Sequence, residues 1–152
     1  MIANLSHRPM QAMVPGIEYG RELRFTDFGQ PKVQGNHRIS RKGKVYDASG
    51  PALGAWRGTV AKEAALAAGP GWDLMSGPVE LVVVFYRPRP KSWPKRRRHI
   101  TTSPDVSKLL RAVEDALSGI VYVDDAQIVC DLPLKLPGTP QRAEFVVREI
   151  VE

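Results

Sequence analysis

The sequence predicts an α/β (α+β) fold: a single domain in which a mixed β-sheet carries two main helices. Three observations point there. The chain has 152 residues, 43% of them hydrophobic and 25% charged, the size and balance of one folded domain. Apolar residues alternate with a period of two in several segments and recur at spacings of three and four in two others. The segments run strand, hairpin, helix, strand, helix, two strands, an order that does not alternate as a doubly wound sheet requires.

Residues 1–20 contain Pro9, Pro15 and Gly16 and no apolar periodicity, so they read as a loose arm ahead of a folded domain at 21–152. Glu22 to Phe28 alternates, with Leu23 and Phe25 on one face of a half-buried strand, and Gly29 and Pro31 close it. Lys32 to Lys44 is polar and lacks an acid. It reads as a loop or hairpin whose positive face carries Lys32, Arg38, Arg41, Lys42 and Lys44, before a short strand at Val45 and Tyr46. Ala52 to Ala68 is alanine-rich, and Leu53, Trp56, Val60 and Ala64 form one helix face. Gly69-Pro70-Gly71 stops that helix.

Pro78 to Tyr86 is the strongest strand. Val79, Leu81, Val83 and Phe85 lie on one face and Val82 and Val84 on the other, the pattern of a central strand. Arg87 to His99 follows with Arg87, Arg89, Lys91, Lys95, Arg96, Arg97 and Arg98 and no acid. Pro88, Pro90 and Pro94 remove donors and fix φ, so this is an exposed basic loop. Trp93 within it is placed to stack on a base. Ser103-Pro104-Asp105 reads as a helix start: Ser103 as N-cap, Pro104 first, Asp105 in the first turn. Val106, Leu109, Leu110, Val113 and Leu117 make its apolar stripe, and Gly119 ends it. On its polar arc Arg111 and Asp115 stand four apart and can pair. Two strands, Ile128 to Leu136 and Ala143 to Val151, close the chain, the first holding Cys130 as a small buried hydrophobe.

Charge narrows the partner. Lys and Arg number 22 against 16 Asp and Glu, a net charge of +6, which favours a polyanion such as nucleic acid. One cysteine excludes an internal disulfide framework and a multi-cysteine zinc site. The longest apolar run, Leu81 to Phe85, is far short of the roughly 20 residues of a membrane helix. With no secretion signal at residues 1–9, the expected location is the cytoplasm. Against this background Asp105, Asp124 and Asp125 stand out. A carboxylate beside a polyanion is repelled unless a cation intervenes, which points to metal-assisted phosphate chemistry. The plainer alternatives are a dipole-stabilising helix start at Asp105 and a solvated turn at Asp124-Asp125. His7, His37 and His99 lack ligand spacing.

The stretch Pro104-Asp105-Val-Ser-Lys-Leu-Leu-Arg111-Ala-Val-Glu-Asp115-Ala-Leu-Ser-Gly119, followed by Tyr122-Val-Asp124-Asp125-Ala-Gln127-Ile128, resembles the RusA family of Holliday junction resolvases. The resemblance implies a homodimeric, Mg²⁺- or Mn²⁺-dependent endodeoxyribonuclease that makes paired nicks in four-way junctions, in a bacterial or phage-infected cell. It assigns catalysis to Asp105, Asp125 and Arg111 and the metal to Asp105, Asp125 and Asp124. DNA would be held by Arg87, Arg89, Lys91, Lys95, Arg96, Arg97, Arg98, Arg38 and Lys108. Ser107 stands where the family carries a second acid, and Arg111 where it carries lysine. Either Asp124, Asp115 or Glu114 compensates for Ser107, or metal binding is weaker, or the chain binds junctions without cleaving them. A basic nucleic-acid module with no metal site is the remaining alternative.

Overall fold

The strand that is apolar on both faces is the one with a neighbour on each side. In this computed structural model, which describes residues 16–31, 37–47 and 50–152, β4 (Val79–Arg87) lies between β5 (Ile128–Pro137) and β6 (Arg142–Val151). It pairs parallel to β5 and antiparallel to β6. β1 (Glu18–Asp27) adds antiparallel to the outer side of β6, giving the order β1-β6-β4-β5. The mixed sheet expected from sequence is therefore present. A parallel pair needs a long crossover, and here the basic loop and helix α2 (Val106–Leu117) supply it. Gly138, on the way from β5 to β6, packs on Tyr86 so closely that a Cβ would lie 2.6 Å from the ring, which keeps the position to glycine.

β2 (His37–Ile39) and β3 (Val45–Asp47) form a separate antiparallel hairpin. Gly43 takes φ +74° in its turn, and Ser40 Oγ accepts from the Lys44 amide at 3.1 Å. Arg41, Lys42 and Lys44 are exposed on it. Lys32 and the side chain of Arg38 lie outside the described residues. Helix α1 (Gly50–Ala68) follows.

Both helices pack on one face of the sheet. Leu53, Trp56, Val60 and Ala64 of α1 and Leu109, Leu110, Val113 and Leu117 of α2 are buried against Leu81, Val83, Phe85, Phe145 and Val147. Phe25 and Phe145 stack across β1 and β6 with centroids 4.5 Å apart. Trp56 is core, as its helix position predicts, and its Nε1 donates to the buried Asp27 carboxylate at 3.1 Å.

Three readings need correction. β1 begins at Glu18, so residues 18–20 of the expected arm are strand. The α2 N-cap is Asp105, two residues after Ser103. The carbonyls of Thr102, Ser103 and Pro104 accept from the side chains of Lys135 and Arg87, and the first helical bond is Leu109 N–H to the Asp105 carbonyl at 3.1 Å. Cys130 is half-buried beside Glu80, its Sγ 3.8 Å from the carboxylate, because β5 is an edge strand.

Candidate active site

Helix α2 arranges the charged residues of the motif by its own geometry. Its apolar stripe faces the sheet, leaving Ser107, Arg111 and Asp115 exposed and Lys108 and Glu114 half-buried on the other side. Asp105 caps the helix by position only: its carboxylate makes no cap hydrogen bond, is 63% exposed, and lies 3.5 Å from Lys108 Nζ. Arg111 has no carboxylate partner among the described residues. The expected Arg111–Asp115 pair is replaced by an interhelical one, Arg57 of α1 to Asp115 at 2.9 Å. Tertiary packing thus leaves the Arg111 guanidinium without an ion-pair partner among the described residues.

The two aspartates after the helix do different work. Asp124 caps a 3₁₀ turn, Asp125–Gln127. Its carboxylate accepts from Ala126 N–H at 3.1 Å, and its own N–H donates to Gln127 Oε1 at 2.8 Å, a reciprocal capping box. Gln127 Nε2 then ties the turn to the carbonyls of Met75 and Gly77, both at 2.8 Å, just before β4. Asp125 is exposed and accepts no hydrogen bond from a basic side chain among the described residues. The Ala126 amide holds the Asp124 carboxyl low, while sharing a hydrogen bond with Asp124 holds Asp125 up.

An acidic field forms around Asp125. Burial pushes the Glu114 carboxyl up, and the charges of Asp131, Asp125 and Asp115 push it further, against Arg111. Asp131 was not singled out in the sequence, although period-two alternation along β5 puts it on the helix-facing side with Lys135. Lys135 Nζ donates to the Thr102 and Pro104 carbonyls at 2.9 and 3.0 Å, and Arg87 donates to the Ser103 carbonyl at 2.8 Å. Three consecutive carbonyls ahead of Asp105 are thus held by cations from the sheet.

Asp105 and Asp125 stand at opposite ends of this arrangement. Asp105 begins α2, and Asp115, whose charge reaches Asp125, lies ten residues on, about 15 Å along a helix axis. The strand agrees. Lys135 touches the segment entering α2, whereas Asp125 precedes Ile128, seven residues earlier on β5, about 23 Å along a strand. Among the described residues no three His, Cys, Asp or Glu side chains converge to hold a metal ion. Asp105 and Asp125 both offer the hard oxygen donors that a divalent cation takes, but they enter from the two ends of α2 and belong to no three-ligand cluster among the described residues.

The basic loop divides in two. Arg87, Arg89 and Arg97 shape it: Arg89 donates to the Trp93 and Pro94 carbonyls, and Arg97 lies 3.9 Å over the Trp93 ring and donates to Thr101 Oγ1 at 2.8 Å. Lys91, Lys95, Arg96 and Arg98 are exposed with no carboxylate or carbonyl partner among the described residues. Trp93 is half-buried and lines a small open cleft with Pro88, Pro90, Ile100, Thr102 and Gln141.

Comparison with known proteins agrees with this arrangement of motifs. A family model described as "Endodeoxyribonuclease RusA" matches residues 29–145. The chain is also similar to "Uncharacterized protein YqaN" of Bacillus subtilis (strain 168), 32% identical over 139 residues that cover 84% of this chain and 96% of that protein.

Proposed function

The chain belongs to the RusA endodeoxyribonuclease family, and from that premise we propose that it resolves four-way DNA junctions as a divalent-cation-dependent homodimeric nuclease, making paired symmetric nicks. Mg²⁺ or Mn²⁺ is the cation that the family and the hard oxygen donors of Asp105 and Asp125 suit. A four-way junction has approximate two-fold symmetry, and two nicks need two sites, which an isologous dimer provides. The observation that carries the reading is Asp125. Its neighbour Asp124 is occupied in a capping box, while Asp125 stands exposed inside the family motif and next to a second, repelling acid.

Each residue then has a role. Asp105 and Asp125 are the ligand carboxylates, and Asp124 orients Asp125 through the turn. Arg111, which pairs with no carboxylate among the described residues, meets a phosphate oxygen and the charge that develops on it. Lys91, Lys95, Arg96 and Arg98, with Arg38 of the hairpin and Lys108, hold the DNA backbone, while Arg87, Arg89 and Arg97 keep the loop in shape. Glu114 supplies negative charge on the helix face where Ser107 lacks it. The work belongs in the cytoplasm, where branched DNA arises.

A second reading, junction binding with weak or no cleavage, is favoured by one observation: Ser107 is exposed in the first turn of α2, a neutral group where the family has a carboxylate. One experiment separates the two. A synthetic four-way junction is titrated with Mg²⁺ in the presence of wild type and Asp125→Asn. Metal-dependent nicking by wild type and none by the variant, with junction binding retained, supports the nuclease. Binding without nicking at any Mg²⁺ or Mn²⁺ concentration supports the second reading.

A further inference from the structure

We propose that the Trp93 cleft seats one unpaired DNA base from the branch point, and that the seated base fixes which phosphate lies beside Asp105. The second half rests on the role given to Asp105 above, while the first stands on the cleft alone. Its lining joins three stretches of the chain: the end of β4 with the prolines that follow, the segment before α2, and Gln141 just ahead of β6. Its volume is about 120 Å³, well below the roughly 300–1,000 Å³ of a site for a drug-sized ligand, so it admits one flat ring system. The walls are set before any ligand arrives. Trp93 N–H donates to the Pro90 carbonyl at 3.1 Å and Arg97 N–H to the Pro94 carbonyl at 2.9 Å. Arg87 and Lys135 hold the Ser103 and Thr102 carbonyls at 2.8 and 2.9 Å, and Ile100 is buried beneath them. Little ordering is left for a ligand to impose.

The chemistry of the cleft and its surroundings selects a base. Trp93 offers an aromatic surface, braced by the Arg97 guanidinium 3.9 Å from its ring. The Gln141 amide and the Thr102 hydroxyl each bring both a donor and an acceptor to the lining. A purely apolar ligand would leave those groups unpaired, whereas the polar edge of a base can satisfy them. Lys91, Lys95, Arg96 and Arg98 are exposed on the same loop, and no acid lies between residues 87 and 99, so the occupant comes attached to an anionic chain. A ring that stacks, an edge that hydrogen-bonds and a flanking negative charge describe a nucleotide. A base inside a duplex has its faces and its edge already occupied. One at a branch point is already unstacked, so seating it costs least. Thr102 lies three residues before Asp105, at most about 11 Å of chain. A base in the cleft therefore belongs to a nucleotide close to the phosphate at Asp105, and reading that base selects the bond presented for cleavage.

The test uses the full chain in a metal chelator, where binding is read without cleavage. Anisotropy titrations compare a four-way junction carrying one unpaired thymine at the branch point with the same junction carrying an abasic residue there. Wild type should bind the first at least about fivefold more tightly, the lower end of what stacking a base on an aromatic ring contributes. Trp93→Leu should bind the two equally, with the wild-type slope of log affinity against log salt, since it removes no charge. Trp93→Phe should restore the preference. Gln141→Leu should still prefer a base to an abasic residue but should bind junctions carrying each of the four bases alike. Wild type that binds the two junctions equally overturns the base seat, as does a Trp93→Leu protein that keeps the preference. In Mg²⁺, moving the unpaired base one nucleotide along its strand should move the nick with it, and a nick that stays in place overturns the link to Asp105. A wild type that nicks no junction while keeping its preference for the base is a different failure, which overturns the nuclease reading.

Discussion

Ser107 and Glu114 are seven residues apart and share one face of α2, so the acid missing from the first turn has a counterpart two turns on. Burial and the charges of Asp131, Asp125 and Asp115 hold the Glu114 carboxyl above the ordinary glutamate range. A carboxyl whose folded value is raised lowers stability once the pH exceeds its unfolded value, and the cost is complete above the folded one. Glu114→Gln should therefore raise the melting temperature near pH 8 and leave it unchanged near pH 3, where both states are protonated. The same variant should require more Mg²⁺ for half-maximal nicking, and Ser107→Asp less. Calorimetric melts at the two pH values and a metal titration check both, and a Glu114→Gln protein no more stable than wild type at pH 8 contradicts the first. Residue roles were only partly legible in the sequence. Asp-x-x-Gln at 124–127 is a readable capping box, which separates Asp124 from Asp125 in advance. Arg111 losing Asp115 to Arg57 was not readable, because it depends on how α1 packs against α2.

At the scale of elements, the run of basic residues and prolines located the loop, although Arg87 is the last residue of β4 and the loop starts at Pro88, but composition could not say which cations are free. The structure divides them by carbonyl geometry. Arg87, Arg89 and Arg97 satisfy backbone carbonyls, a hydroxyl or the Trp93 ring, while Lys91, Lys95, Arg96 and Arg98 stay exposed. Arg96→Ala and Arg98→Ala should each make the slope of log affinity against log salt shallower by about 0.9 on duplex arms, if each contacts one phosphate. Arg97→Ala should instead leave the slope near wild type and change Trp93 fluorescence, since it frees the indole ring. Anisotropy titrations across a range of salt concentrations distinguish these effects. Equal slope changes for all three variants would mean that the division by internal contacts does not govern DNA binding. Helix starts behave similarly. Ser-Pro-Asp at 103–105 carries every local start signal, yet α2 begins at Val106 because side chains from two strands claim the three carbonyls before it.

For the molecule as a whole, the alternating pattern located every strand of the main sheet but not their order, since β6 pairs on one side with β1, more than a hundred positions away, and on the other with β4, more than fifty away. That order has an energetic consequence on the sheet face away from the helices. Arg148 of β6 is buried between Glu80 of β4 and Glu22 of β1, at 2.7 Å from each, and Tyr19 donates to Glu80 at 2.9 Å. One guanidinium therefore ties three strands together. Removing it leaves Glu80, 1% exposed, as an uncompensated buried charge, so Arg148→Met should cost about 3–5 kcal/mol in urea unfolding. Replacing Glu80 and Arg148 together with leucine removes both charges and should recover most of that loss, because a well-packed apolar pair often matches a buried ion pair. Acid stability supplies the independent sign. Burial pushes the Glu22 carboxyl up, but donation from Arg24 and Arg148 outweighs it and holds the carboxyl below the ordinary range. A lowered carboxyl contributes stability above its unfolded value and loses it as pH falls through the folded one. Wild type should thus lose stability as pH drops through and below the ordinary glutamate range, and Arg148→Met should show a flatter fall, having less of that contribution to lose. A double variant as unstable as Arg148→Met, or an acid limb unchanged by that substitution, would mean that the sheet is held by its backbone ladder and apolar contacts, with this network contributing little.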